Sequence, residues 1–128
     1  MAALKTREVK FLQAHELCRL ATASKGGRPH VVPVIYALDG EEIIIAVDYN
    51  TKKLKNLREN PKVALVVDEY RPNRGLMIEG DCEIFERGKE YMRLLQLLFD
   101  RFVFYRRNPW GEGESPILKI EPTKVVMW

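Results

Sequence analysis

One stretch concentrates the chemistry of this chain. Asp48-Tyr49-Asn50-Thr51-Lys52-Lys53-Leu54-Lys55-Asn56-Leu57 reads as the end of a strand, a polar turn, and a helix that begins with a hydroxyl and lysines. The first backbone N–H groups of a helix lack partners within the helix and attract anions. Lys52 and Lys53 add positive charge at that same end, where it opposes the helix dipole. A bound phosphate removes the conflict. Simple solvation of the two lysines is the plainer alternative.

Other candidate chemistry is sparse. The sequence has no Gly-x-Gly-x-x-Gly fingerprint, no Walker loop and no nucleophile elbow. Two histidines leave little material for an acid–base relay, which points to a site that borrows its chemistry from a cofactor. His30, beside Pro29, is either a ligand-facing group or a half-exposed strand residue. His15, Cys18, His30 and Cys82 lack the paired spacing of zinc motifs, so no metal is expected. Trp110 lies in a Pro/Gly loop, where a tryptophan serves as an interface anchor or as a lid over a planar ligand.

The elements that hold these residues follow from patterning. Residues 6–15 suit a short helix and residues 17–24 an alternating strand. Gly26-Gly27 turns the chain into a second strand over 29–38, making a hairpin. A third strand over 42–48 is apolar on both faces through Ile43, Ile44 and Ile45. A helix over 52–59 stops at Asn60-Pro61, and a fourth strand covers 62–68. Ile78, Gly80, Cys82 and Ile84 alternate with acids in a half-buried fifth strand, where Gly80 allows close approach of another backbone. One helix from 89 to about 105 repeats Tyr91, Leu94, Leu95, Leu98, Phe102 and Tyr105 at helical spacing. Residues 116–121 and 124–128 close the chain as one or two strands. Short strands with few helices predict a mainly β, α+β fold built on a small antiparallel barrel. Leu97, Phe99, Val103 and Phe104 widen the apolar surface of the last helix, which predicts a homodimer.

Composition bounds the rest. A chain of 128 residues makes a single domain over 1–128. With 46% hydrophobic and 30% charged residues it is globular rather than disordered. A net charge of +3, with acids spread along the chain, argues against nucleic acid as a partner. The longest apolar run, 31–38, carries a proline and is far short of a membrane span. The charged beginning of the chain excludes a signal-peptide core, and two distant cysteines suit the reducing cytoplasm.

Taken in order, the segments resemble a family. Arg19-Leu20-Ala21-Thr22, then Arg28-Pro29-His30-Val31-Val32-Pro33-Val34, then Ile45-Ala46-Val47-Asp48, then Thr51 to Leu57, then Asn60-Pro61-Lys62-Val63-Ala64-Leu65 are similar to the pyridoxamine 5′-phosphate oxidase-like flavin-binding split barrels. Tyr105-Arg106-Arg107, Ile117 to Pro122 and Trp128 resemble a subgroup described as deazaflavin-dependent oxidoreductases. The resemblance implies a six- or seven-stranded antiparallel split β-barrel that is dimeric, with cofactors at the dimer interface. The cofactor is FMN, or alternatively the deazaflavin coenzyme F-420, whose longer acidic tail Lys55, Arg58, Arg71 and Arg74 would serve. It implies hydride transfer to or from a small unsaturated or planar substrate. The alternative is a flavin or haem carrier without turnover.

Carried over, Thr51, Lys52 and Lys53 meet the phosphate, with Asn56 supporting them. Val32, Pro33 and Val34 line the ring through backbone groups, with His30 beside them; Val47 and Asp48 flank it. Arg106 and Trp110 reach the neighbouring subunit's site. Val32 and Ala37 stand near the places of an arginine and a lysine of the true oxidases, whose C-terminal substrate-binding segment has no counterpart here. Oxidation of pyridoxamine phosphate itself is therefore not expected.

Overall fold

The computed structural model describes residues 2–128. Seven antiparallel strands form one curled sheet in the order β2-β1-β5-β6-β7-β4-β3. The strands are β1 (Leu17–Ala23), β2 (Pro29–Ile35), β3 (Ala37–Asp39), β4 (Glu42–Ala46), β5 (Lys62–Glu69), β6 (Arg74–Phe85) and β7 (Ile117–Met127). The helices are α1 (Thr6–Gln13), α2 (Lys52–Glu59), α3 (Lys89–Arg101) and α4 (Val103–Arg107). β2 and β3 are the two edges of the sheet, yet only Tyr36 separates them in sequence. The sheet must therefore curl until its edges approach, which makes a split barrel.

The predicted second strand, 29–38, is thus two strands. Tyr36 breaks it: its N–H donates to the Glu16 carbonyl at 3.0 Å and its hydroxyl to the Leu12 carbonyl at 2.6 Å. β2 pairs with β1 and β3 with β4, so the break is the corner of the barrel. The predicted last helix also divides. Phe102 adopts extended angles (φ −117°, ψ 117°) and stays buried between α3 and α4. The two final segments join as one 11-residue strand.

Two apolar layers share the sheet. Ile43, Ile45, Leu20, Leu65, Ile78 and Ile120 fill the barrel. Ile44, on the opposite face of β4, packs outside it beneath Tyr91, Leu94, Leu95 and Leu98 of α3. That division explains a strand apolar on both sides. Gly80 faces a bulge in β7, where Thr123 is the extra residue, and a Cβ on Gly80 would lie 2.5 Å from the Glu121 carbonyl oxygen. β2 carries two prolines, Pro29 and Pro33, and its open side has no partner strand among the described residues.

An ion network fastens α3 to the barrel. Arg93 holds Asp39 through two hydrogen bonds of 3.0 and 2.6 Å and pairs with Glu90 at 2.7 Å. Lys119 of β7 lies within 3.2–3.5 Å of Glu90, Glu42 and Asp39. The hydrogen bond from Arg93 holds Asp39 below the usual carboxylate range, and hydrogen bonds from Arg93 and Lys119 bring Glu90 down to about 2. Burial would lower Lys119, but its hydrogen bonds to Glu90 and Glu42 outweigh it and raise its pKa.

Candidate functional site

The start of α2 leaves backbone donors open. Thr51 is in the cap position, but its hydroxyl donates backwards to the Asp48 carbonyl at 2.9 Å and does not cap the helix. No acid stands in the first turn, which carries Lys52 and Lys53. Asn50, in the left-handed region at φ 65°, sets the turn that presents this end. The result is a helix start with positive charge and unmet N–H groups, the chemistry of an anion site.

A cavity of about 470 Å³ opens beside it. One wall is aliphatic and comes from strand ends: Val34 and Ile35 of β2, Ala46 of β4, and Val47 just beyond. Lys53 and Asp48 stand at the helix end. The facing wall is aromatic, built from Phe104 and Tyr105 of α4 and from Trp110. Asn108, Glu114 and Ser115 of the loop before β7 complete it. On the other side of the helix start, a groove of about 720 Å³ is bordered by Tyr49, Thr51, Lys52, Lys55 and Arg58. Arg58 is already paired with Glu86.

The aromatic wall is held in place. Ser115 Oγ donates to the Val47 carbonyl at 2.6 Å, and the Tyr91 hydroxyl donates to the Ser115 carbonyl at 2.7 Å. Trp110 Nε1 donates to that same Tyr91 oxygen at 3.1 Å. The indole also meets Phe99 and Tyr105 edge-on, with ring centroids 4.9 and 4.8 Å apart. Burial raises the Tyr91 phenol above its ordinary pKa, and burial with the Asp48 charge does the same to Tyr105.

Of the residues singled out from sequence, Val34, Val47, Asp48, Lys53 and Trp110 come together around the cavity. Thr51 and Lys52 border the adjoining groove. His30 and Val32 share a face with the barrel-filling residues, being opposite Thr22 and Leu20, while Pro33 is exposed on the outside. β2 is an edge strand, so a row of its backbone groups stays open to a ligand. Asn56 is fully buried, and its Nδ2 donates to Thr22 Oγ1 at 3.0 Å, tying α2 to β1. Asn56 Oδ1 and His30 Nδ1 are buried without partners. Arg106 turns back to the Phe99 and Asp100 carbonyls at 2.6 and 3.0 Å, closing the end of α3. Trp110 lines the cavity of its own chain, beside Val47 and Asp48. Sequence reasoning did not single out Phe104, Tyr105, Asn108, Glu114 or Ser115 as site residues. The signal was there in the density of aromatic and polar residues just before β7. Burial pushes the Cys18 and Cys82 thiols up to about 12, far from the thiolate a nucleophile requires.

The sequence matches the profile of the pyridoxamine 5′-phosphate oxidase family over residues 4–128. The chain belongs to this family. An uncharacterised protein of Methanocaldococcus jannaschii is 37% identical over 92 residues, covering 69% of this chain. The match spans 60% of that relative's length. The 5a,11a-dehydrotetracycline/5a,11a-dehydrooxytetracycline reductase of Streptomyces rimosus is 27% identical over 131 residues, covering 95% of this chain and 80% of the reductase. Among solved structures, the haem storage protein HutZ of Vibrio cholerae superposes with a TM-score of 0.83 at 17% identity, covering 98% of this chain and 94% of HutZ. An FAD-binding protein of Mesorhizobium loti gives 0.75 at 23% identity, covering 97% and 94%. The split barrel of this oxidase family is thus the fold of the chain, a fold associated with flavin-type cofactors and oxidoreductases.

Proposed function

We propose that this member of the oxidase family is a flavin-dependent oxidoreductase that binds FMN, with the deazaflavin coenzyme as the alternative cofactor. The observation that carries the reading is the cavity itself. A cationic, uncapped helix start stands at one end, and an aliphatic and an aromatic wall extend from it. A phosphorylated planar ring has that distribution of charge and surface. Lys53 and the first N–H groups of α2 would hold the phosphate, and Lys52 and Thr51 would border it. Val34, Val47 and the open backbone groups of β2 would flank the ring. A bound flavin supplies hydride transfer to or from a small unsaturated or planar substrate. The chain's own residues orient the two partners and keep water out. Reduction of 5a,11a-dehydrotetracycline by the S. rimosus relative supports a conjugated substrate. Val32 and Ala37 support a substrate other than pyridoxamine phosphate.

The reading includes a homodimer. In sheet register, Pro33, Arg19, Val66, Met77 and Val126 form one outward row and Val31, Ala21, Ala64, Glu79 and Lys124 the next, apolar toward the β2 edge. Val31 is 63% exposed, and Phe104, at the mouth of the cavity, is 66% exposed. A second copy would cover both. The reading also includes a cytoplasmic location, supported by two unpaired cysteines; among the described residues no helix is long and apolar enough to cross a membrane.

A carrier of haem is the second reading, favoured by the likeness to HutZ. Against it, among the described residues no histidine, cysteine or methionine lines the cavity, and Tyr105 is left as its one side chain of a haem-ligating type. An absorption spectrum of the purified protein, followed by titration with FMN, the deazaflavin coenzyme and haem, separates these readings. Tight FMN or deazaflavin binding, followed by oxidation of a reduced nicotinamide or reduced deazaflavin, is the expected result. Binding of haem alone would overturn it.

A further inference from the structure

Apart from the charged ends of Asp48 and Lys53, the polar groups around the cavity are nearly all engaged. Ser115, Tyr91 and Thr51 each donate their hydroxyl to a backbone carbonyl. Asn108 Nδ2 donates to the Phe104 carbonyl at 2.9 Å, and a Glu114 oxygen accepts the Gly111 N–H at 3.2 Å. Tyr105 is the exception: its ring lines the cavity, yet its hydroxyl has no hydrogen-bond partner among the described residues. The ring cannot swing away easily, because Trp110 and Phe102 meet it edge-on, with centroids 4.8 and 5.4 Å distant. The hydroxyl is not sealed from solvent, so it can exchange water for a ligand oxygen without breaking a bond inside the protein. The raised pKa of this phenol means that it keeps its proton at neutral pH and can donate.

Charge narrows the ligand further. Asp48 and Glu114 line the cavity, and Lys53, its only cationic lining residue among the described residues, stands beside the anion site. A negatively charged substituent near Tyr105 would meet these carboxylates, whereas a neutral carbonyl oxygen would meet the phenol without that repulsion.

We infer that Tyr105 donates a hydrogen bond to a carbonyl oxygen of the substrate, and that the substrate class is uncharged, planar, conjugated carbonyl compounds. The inference rests on the redox reading only in calling the ligand a substrate, since binding itself needs no turnover.

Calorimetric titration of the full chain tests it. The protein is loaded with flavin where flavin binds, with no reductant present. The probes are chromone, its carbonyl-free parent chromene, and a chromone carboxylate. Tyr105→Phe keeps the ring packing and should weaken chromone about 3- to 10-fold, the worth of one neutral hydrogen bond. Chromene and FMN should bind Tyr105→Phe as they bind the unaltered chain. The carboxylate should bind more weakly than chromone, and Glu114→Gln should recover part of that difference. Equal losses for chromone and chromene, a loss confined to FMN, or no chromone binding by the unaltered chain would each overturn the inference. Selective chromone binding without any flavin binding would instead sink the redox reading and leave the Tyr105 assignment standing.

Discussion

Two helices of this protein begin in opposite ways. α3 starts with Glu90 in its first turn, and Glu112 accepts the N–H of Gly88 at 2.5 Å. Acids lie where the helix dipole favours them, and Arg93 and Lys119 bind them in turn to the barrel. α2 starts with lysines, no acid, and a threonine whose hydroxyl faces away from the helix. Both helices pack on the same sheet with fully buried leucines or nearly so. The difference therefore lies in their polar ends and not in their packing. Where polar groups are mutually satisfied the chain is held together; where they are left open it has room for something else.

This contrast can be broken or sharpened by substitution. The largest effect should come from Leu98→Ala, which removes a fully buried side chain beneath α3. It should cost about 2–5 kcal/mol of stability in urea unfolding, while FMN affinity per folded molecule stays the same. Lys53→Ala, at the other end of the comparison, should leave the urea midpoint unchanged and weaken FMN by about 1.5–3 kcal/mol in a titration. Lys52→Ala should do less, because Lys52 faces the adjoining groove. Riboflavin, which lacks the phosphate, should be indifferent to both. If Lys53→Ala binds FMN normally, α2 is no anion site and its open end is merely solvated.

Lys52→Glu should reverse the two signs at once. An acid in the first turn should stabilise α2 by about 0.3–1 kcal/mol, seen as a higher urea midpoint, and lower FMN affinity. The smallest effect is the acid response of the α3 network. Asp39 and Glu90 are held below their ordinary pKa values, so they bind fewer protons folded than unfolded. Their contribution is complete above the unfolded value, 4.5 for a glutamate, and fades as pH falls toward about 2. Glu90→Gln should flatten that part of the pH–stability curve, measured by thermal melts. An unchanged slope would show that the network does not fasten α3.

Much of this architecture was legible in the residues. The bounds of α2 came from Thr51 and Asn60-Pro61, and the faces of β6 from the alternation of Ile78, Gly80, Cys82 and Ile84 with acids. The two breaks were not legible, and for one reason. At Tyr36 and at Phe102 the apolar pattern runs on unbroken, so periodicity predicts continuity. The break at Tyr36 is held by the distant Leu12 and Glu16, and that at Phe102 by Arg106, whose side chain folds back to close α3 ahead of α4. The site was half legible. Lys53 and Asp48 announce themselves by their place at a helix start and strand end, and Val47 only through the family resemblance. Tyr91 reads as a core residue, because spacing reveals its burial but not that its hydroxyl anchors Trp110. For Arg106, spacing does not show the Phe99 and Asp100 carbonyls that it caps.

The prolines of β2 have a consequence for the life of the chain before it meets a ligand or a second copy. An uncovered sheet edge with a full row of N–H donors invites strands of other molecules and seeds aggregation. Pro29 and Pro33 delete donors from that row, on a strand that must stay uncovered if its backbone is to meet a planar ring. The edge is thus open to a flat molecule with scattered acceptors and closed to a continuous foreign strand. Replacing both prolines would leave the barrel its shape and give it a tendency to polymerise.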